Sequence, residues 1–166
     1  MSDSTKIGDT DLRILEVLQR DGRRGYADLG AEVGISGPSA HERVKKLEAR
    51  RIITGYSATV DPTAAGFPIL AVCWLTQAPG TTATDITPDF AAIPEIEECH
   101  HIAGEADYLL KLRARSTSDL ERVLRRIQGV RHVFTTETDV VLSTVFERRP
   151  LGRADRTDET DQGART

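Results

Sequence analysis

Five cationic side chains, Arg43, Lys45, Lys46, Arg50 and Arg51, fall between Ser36 and Arg51, against two carboxylates, Glu42 and Glu48. Ammonium and guanidinium groups at that density neutralise phosphates, and each phosphate contact releases condensed counterions. The spacing gives the charge a direction. With Ala40, Val44 and Leu47 turned inward at helical intervals, the opposite face carries Ser39, Glu42, Lys45 and Lys46, with His41 and Arg43 flanking it. Hydrogen-bonding groups on a basic helix can reach base edges in a DNA major groove. Charges opposite an apolar stripe also simply keep a surface helix soluble, so the neighbouring elements must decide.

Those neighbours read as a helix, a turn and a further helix. Tyr26, Leu29 and Val33 recur at helical spacing, and Gly34 can take the positive φ that ends a helix. Ile35 offers an apolar plug, Ser36 can cap the next helix, and Pro38 is tolerated in its first turn. Upstream, Asp11 to Arg20 places Leu12, Leu15 and Leu18 on one face. Three short helices sharing one core make a helix-turn-helix domain, expected over residues 8–51, with double-stranded DNA as its partner. Its expected contact set is Ser36, Pro38, Ser39, His41, Glu42, Arg43, Lys45 and Lys46.

Composition bounds the alternatives. The chain has 166 residues, 39% of them hydrophobic, and a net charge of -4. Its mean hydropathy of -0.34 fits an ordinary soluble protein. A net negative charge argues against indiscriminate coating of nucleic acid, and no run of residues approaches a membrane span. The opening MSDSTKIGDTDL lacks the apolar core of an export signal, so the expected location is the cytoplasm. Cys73 and Cys99 have no metal-type spacing and should stay reduced there. His100 and His101 are adjacent in an expected strand, so they point to opposite faces and cannot chelate one metal together. No nucleophile motif or glycine-rich phosphate loop is present. The expectation is no enzyme, no catalytic residue, no metal and no cofactor.

Beyond the helices the pattern changes to α+β. IITGYSATVDP, rich in β-branched residues, suggests a hinge strand within a linker over residues 52–66, with the boundary near Asp61. Residues 67–149 then follow the order βαββαβ, a ferredoxin-like arrangement. The strands are expected at Ile69 to Gln77, Ile96 to Ala103, Asp107 to Ala114 and Thr136 to Glu147, and the helices at Pro88 to Ile93 and Asp119 to Gln128. Thr87 is the expected cap of the first of these helices, and Ser118 with Glu121 the capping box of the second. Val140 to Phe146 is apolar enough to lie buried or at a subunit interface, so a homodimer is expected. Residues 150–166 carry almost no large apolar side chain after Leu151 and read as a flexible tail.

Together these stretches resemble the Lrp/AsnC family, the leucine-responsive or feast/famine transcription regulators, from roughly Thr10 to Leu151. The resemblance rests on DLRILEVLQRDGR, on RVKKLEARRIITGY, on EIEECHHIAGEADYLLKLRA and on TETDVVLSTV. It implies a DNA-binding domain and a ferredoxin-like domain that pairs into dimers and assembles them to tetramers or octamers. It also implies a small effector, commonly an amino acid, held between dimers near a Gly-x-x-Asp-Tyr turn. Carried over, that turn supplies Gly104, Glu105, Asp107 and Tyr108, with His101 and Ile102 before it and Thr136 and Thr138 from the last strand. A glycine turn exposes amide N–H groups to a carboxylate, and Asp107 can receive an ammonium. In the bland reading Gly104 only permits the hairpin, Asp107 satisfies turn amides and Tyr108 packs in a core. Three departures stand out: Glu42 where many relatives carry a base, Ser-Gly-Pro in place of Ser-Pro, and Arg131-His132 where Pro-Gly is common. The competing function is an effector-independent, oligomeric DNA-organising protein.

Overall fold

Gly34 takes φ +81° and closes a helix whose last turn runs straight into the next cap. The computed structural model describes residues 7–151 and places three helices before this sequence gives way to strands: α1 (Asp9–Arg20), α2 (Tyr26–Val33) and α3 (Gly37–Ala49). Ser36 caps α3, its hydroxyl accepting the Ser39 amide at 3.3 Å, and Pro38 occupies the first turn, where its missing N–H costs nothing. Asp9 and Asp11 stand in the first turn of α1, the favoured end of its dipole for negative charge. Gly30 is needed for proximity: a Cβ there would lie 2.7 Å from the Ile35 carbonyl oxygen, so α2 meets the turn only without a side chain.

Ile14, Val17, Leu29, Val33, Ala40, Val44 and Leu47 form the core of this helical unit, and Ile52 and Ile53 extend it past residue 51. Each large side chain buried there contributes about 1.5–3 kcal/mol. Two expectations need correcting. On α1 the buried face is Ile14 and Val17, while Leu15 and Leu18 pack only at its edge. Steps of three fall behind the helical turn, so Leu12, Leu15 and Leu18 fan around the cylinder and cannot share one line of burial. Tyr26 stays 43% exposed instead of joining Leu29 and Val33.

The chain forms two compact units, one containing residues up to Ala58 together with the segment from Phe146, the other Thr59–Val145. In the first, Leu151 exchanges two hydrogen bonds with the Gln19 side chain. The flexible tail expected from residue 150 lies, from 152 on, outside the described residues. Residues 54–60 make no strand, contrary to the hinge expected there. A β-branched run becomes a strand only where another edge meets it, and here Tyr56 instead donates its hydroxyl to Glu48 at 2.9 Å.

The second unit comprises β1 (Ile69–Gln77), α4 (Ala83–Ala91), β2 (Ile96–His101), β3 (Tyr108–Ala114), α5 (Thr117–Gln128) and β4 (Val133–Val140). All neighbours are antiparallel in the order β2-β3-β1-β4, the expected βαββαβ fold. One sheet face, with Ala71, Cys73, Leu75, Leu110 and Leu112, is buried with Ile86 and Phe90 of α4 and Leu120, Val123 and Ile127 of α5. Several ends differ from expectation. α4 begins at Ala83, so Pro88 lies inside it and Thr87 is no cap. α5 is capped two residues earlier than expected: Ser116 accepts the Asp119 amide at 3.1 Å, and Asp119 accepts the Arg115 amide at 3.0 Å. β2 stops at His101, and β3 starts at Tyr108. β4 starts at Val133, after His132 takes φ +74°, and ends at Val140 opposite Ala71, short of the expected Glu147, with one further contact from the Val141 amide to Leu70 at 2.9 Å. Leu142, Val145 and Phe146, expected in a buried strand or an interface, are 98%, 88% and 62% exposed in the single chain.

Candidate functional site

α3 presents the polar face that its periodicity predicts. Ala40, Val44 and Leu47 are at most 1% exposed, while Ser36, Pro38, Ser39, Glu42, Lys45 and Lys46 are open to solvent. Glu42, Lys45 and Lys46 have no ion-pair partner among the described residues. The two flanking residues are held from neighbouring helices. Arg43 donates to the Asp11 carboxylate of α1 at 2.8 Å, and the His41 ring stands 4.5 Å from that of Tyr26 on α2. An open groove of about 690 Å³ runs along this surface between Asp11, Ser39, Glu42, Arg43, Lys46 and Arg50. α1 therefore sets the direction of one cation and leaves two lysines free to follow a phosphate backbone.

In the sheet unit the residues expected to form one pocket divide between the two faces. Tyr108 is 2% exposed and packs edge-on against Phe90 at 5.8 Å. Burial pushes its phenol up, with a Thr87 hydrogen bond working the other way. His101 stacks at 5.0 Å on the same side. Thr136 accepts from Gln128 of α5 at 3.1 Å, and Thr138 stands opposite Cys73, whose thiol burial pushes up while Thr138 opposes the shift. These four side chains belong to the helix-covered face. Asp107 pins the hairpin to β1: its Oδ2 accepts the Gln77 amide at 2.7 Å, and its own amide donates to Leu75 at 2.9 Å. Gly104 is exposed and has negative φ, with open space where a Cβ would stand, so the turn does not require glycine.

Ile102 and Glu105 fall elsewhere, on the rim of a cleft of about 610 Å³ over the uncovered face. Trp74, Leu75, Thr76, Ala106, Thr135, Glu137 and Asp139 complete its lining. That volume is typical of small-molecule sites. The signal for these missed residues lay in the parity of β4. Glu137 and Asp139 alternate with Thr136 and Thr138, and carboxylates do not face packed helices, so Thr135, Glu137 and Asp139 had to line the open side. On the same face Lys111 pairs with Glu97 at 3.4 Å and Glu98 at 3.0 Å, and Arg113 with Glu97 at 3.2 Å. His100 also points this way, 3.1 Å from Glu98, while His101 points to the other face, as their adjacency predicts. Among the described residues no group of three or more His, Cys, Asp or Glu is arranged to hold a metal, and no helix is long and apolar enough to cross a membrane.

A helix-turn-helix with a basic exposed face, followed by a ferredoxin-like α+β domain, defines a class of transcriptional regulator, and comparison with known proteins identifies the family. Residues 8–48 match the AsnC-type helix-turn-helix domain and residues 70–151 the Lrp/AsnC ligand binding domain, and the chain belongs to the Lrp/AsnC family of DNA-binding transcriptional regulators. It is 32% identical to the HTH-type transcriptional regulator LrpA of Mycobacterium tuberculosis, over 86% of this chain and 95% of that one. It is 36% identical to the leucine-responsive regulatory protein of Haemophilus influenzae, over 81% and 83% of the two chains. A feast or famine regulatory protein from M. tuberculosis, solved in complex with L-methionine, superposes with a TM-score of 0.82 at 31% identity, covering 87% of this chain and 97% of that one. These relatives are regulators, not enzymes.

Proposed function

We propose that this chain binds duplex operators as a symmetric homo-oligomer, with α3 in the major groove, and that a small amino-acid effector at the hairpin cleft modulates its assembly. The observation that carries the DNA reading is the clean division of α3 between a buried stripe and a free polar face with two unpaired lysines. In this reading Lys45, Lys46 and the Ser36–Ser39 cap region hold phosphates, Ser39, Glu42 and Arg43 meet base edges, and Pro38 and His41 shape the approach. Paired α3 helices require a near-palindromic site with half-sites about one helical turn, or whole turns, apart. The cytoplasm, where the chromosome and reduced thiols are found, is the location that fits.

The effector reading draws on the mycobacterial relative with bound L-methionine and on the cleft beside the turn. Ile102 and Glu105 stand at its rim, with Gly104 next to Glu105 in the turn. Asp107 fixes the turn, while His101, Tyr108, Thr136 and Thr138 support it from the helix side. An effector acts only by binding one assembly more tightly than another. The second reading, an effector-independent DNA organiser, is favoured by one specific fact, the commitment of the Asp107 carboxylate to the Gln77 amide. Selection of sites from a randomised duplex pool tests the DNA role, and the expected product is a two-fold symmetric motif. Glu42→Ala should relax base preference at one position in each half-site, and unchanged preference removes Glu42 from base readout. Melting the protein with each common amino acid tests the effector role, because a ligand at 100 times its Kd stabilises by about 2.7 kcal/mol.

A further inference from the structure

The last described residues return to the helical unit. Leu151 meets the Gln19 carboxamide near the end of α1, donating its amide to Oε1 at 2.7 Å and accepting from Nε2 at its carbonyl at 3.3 Å. A side-chain amide that engages both polar groups of one residue imitates a rung of a β-ladder. Pro150 restricts the backbone just before this rung, and Arg148 turns the chain with φ +53°, a left-handed conformation that residues with a Cβ seldom adopt. Arg149 lies 3.7 Å above the Phe146 ring. Such stacking covers one flat side of a guanidinium and leaves the N–H donors around its edge to meet an anion.

Other cations stand at the same end of α1. Arg148 and Arg149 precede Leu151 by three and two residues, at most about 11 Å of extended chain, and Leu151 rests on Gln19, the neighbour of Arg20. Arg23 follows in the turn to α2. Arg20, Arg23 and Arg148 are exposed and make no ion pair among the described residues. Of the carboxylates nearby, Glu32 is engaged by Arg24 at 3.1 Å, Asp21 accepts the Arg23 amide at 3.0 Å, and Glu147 has a contact of its own. This end of α1 adjoins α3. A Cβ on Gly22 would stand 3.3 Å from the Tyr56 ring, whose hydroxyl meets Glu48 of α3, and Tyr26, at the start of α2, faces His41 of α3 at 4.5 Å. His41, Lys45 and Glu48 follow at helical spacing, so the turn carrying Arg23 runs along that edge of α3. A DNA backbone passes on such a flank when the helix enters a groove.

We propose that the C-terminal segment, docked on Gln19, adds a second cationic surface to the DNA-binding unit, where Arg148 and Arg149, beside Arg20 and Arg23, grip backbone phosphates next to the groove that α3 enters. The proposal deepens the DNA reading above and rests on it. Phosphates are alike at every base pair, so these contacts add affinity and salt dependence without altering the operator motif.

The test is anisotropy titration of the full chain on its selected operator across a range of salt, with the variants Arg148→Ala/Arg149→Ala, Gln19→Ala and Lys45→Ala/Lys46→Ala. The arginine double variant should lower the magnitude of the log-log slope by roughly 1.8, about 0.9 for each phosphate contact, while site selection returns the parent's motif. Gln19→Ala keeps every arginine and should lose slope as well, because the segment is released. All three positions are exposed, and an unchanged circular dichroism spectrum verifies folding. A parent slope in the arginine variant, with the lysine variant still losing its own share, overturns this surface and leaves the role of α3 standing. A parent slope in both double variants overturns the two together. Loss in the arginine variant with a parent slope in Gln19→Ala overturns the docking, and a changed motif overturns the assignment to phosphates.

Discussion

The helical unit buries the apolar stripes of α1, α2 and α3 against one another, whereas the sheet unit covers one face and leaves the other to solvent. In the first, Ile14, Leu29, Ala40, Val44 and Leu47 are at most 1% exposed, and what faces water on α3 is polar. In the second, α4 and α5 bury one side of the sheet, while Trp74, Leu109 and the carboxylates of β4 lie on the uncovered side. Function follows the difference. A self-contained core offers a rigid polar face, suited to a partner as uniform as duplex DNA. A half-covered sheet offers a cleft and, on its open side, partly exposed apolar residues such as Trp74 and Leu109, suited to a small molecule and to further copies of the chain.

The largest effects should come from breaking one core at a time. Gly30→Ala forces a methyl onto the Ile35 carbonyl and should cost about 3 kcal/mol, the upper end of overpacking, with hydrogen exchange accelerated in α2 and α3. Leu110→Ala should cost about 2–5 kcal/mol and accelerate exchange in β1 and β3 instead. Equal acceleration in both units by either variant would erase the distinction between them.

Smaller effects come from the charges that tie helices to their units. Glu95 receives Arg122 at 2.9 Å and Arg126 at 3.1 Å. Burial raises its carboxyl, but its own backbone amide and the two guanidiniums outweigh that, and the net shift is downward. A lowered folded-state value contributes stability that is present above the ordinary carboxylate range and disappears as pH falls through it. Glu95→Gln should lower stability by about 1–2 kcal/mol at neutral pH, with the gap to the parent closing in acid melts. Asp11→Asn releases Arg43 and should alter base preference more than overall affinity, as measured by site selection beside a binding isotherm.

The smallest effect should be at Tyr56. Burial, followed by its bond to Glu48, pushes its phenol up to about 12. The native state thus keeps a proton that the unfolded chain loses near pH 10, and stability from this group declines as pH rises from 10 to about 12. Tyr56→Phe should flatten that alkaline decline in melting temperature, and an identical decline in the variant would dismiss the Glu48 contact.

Legibility in the sequence followed the range of the interactions. The turn between α2 and α3 was readable because Gly34, Ser36 and Pro38 act on their own backbone, and the buried stripe of α3 because its period is local. The face of α1 was misplaced because steps of three imitate a stripe that only packing against α2 and α3 selects. Strand ends were less readable still. β4 ends opposite Ala71 while its apolar run continues to Phe146, and its start depends on His132 adopting a left-handed conformation that its residue type does not announce. Family resemblance supplied the turn residues, while the face each β4 side chain takes follows its parity: Thr136 and Thr138 stand on the helix-covered side and Glu137 and Asp139 on the open one.

The central claim is that α3 meets duplex DNA through its free lysines, and anisotropy titration of the full chain against its selected operator over a range of salt tests it most directly. The log-log slope should fall in magnitude by roughly 0.9 for each lysine removed in Lys45→Ala and Lys46→Ala, with thermal stability unchanged. Affinity and slope identical to the parent in the double variant would contradict it.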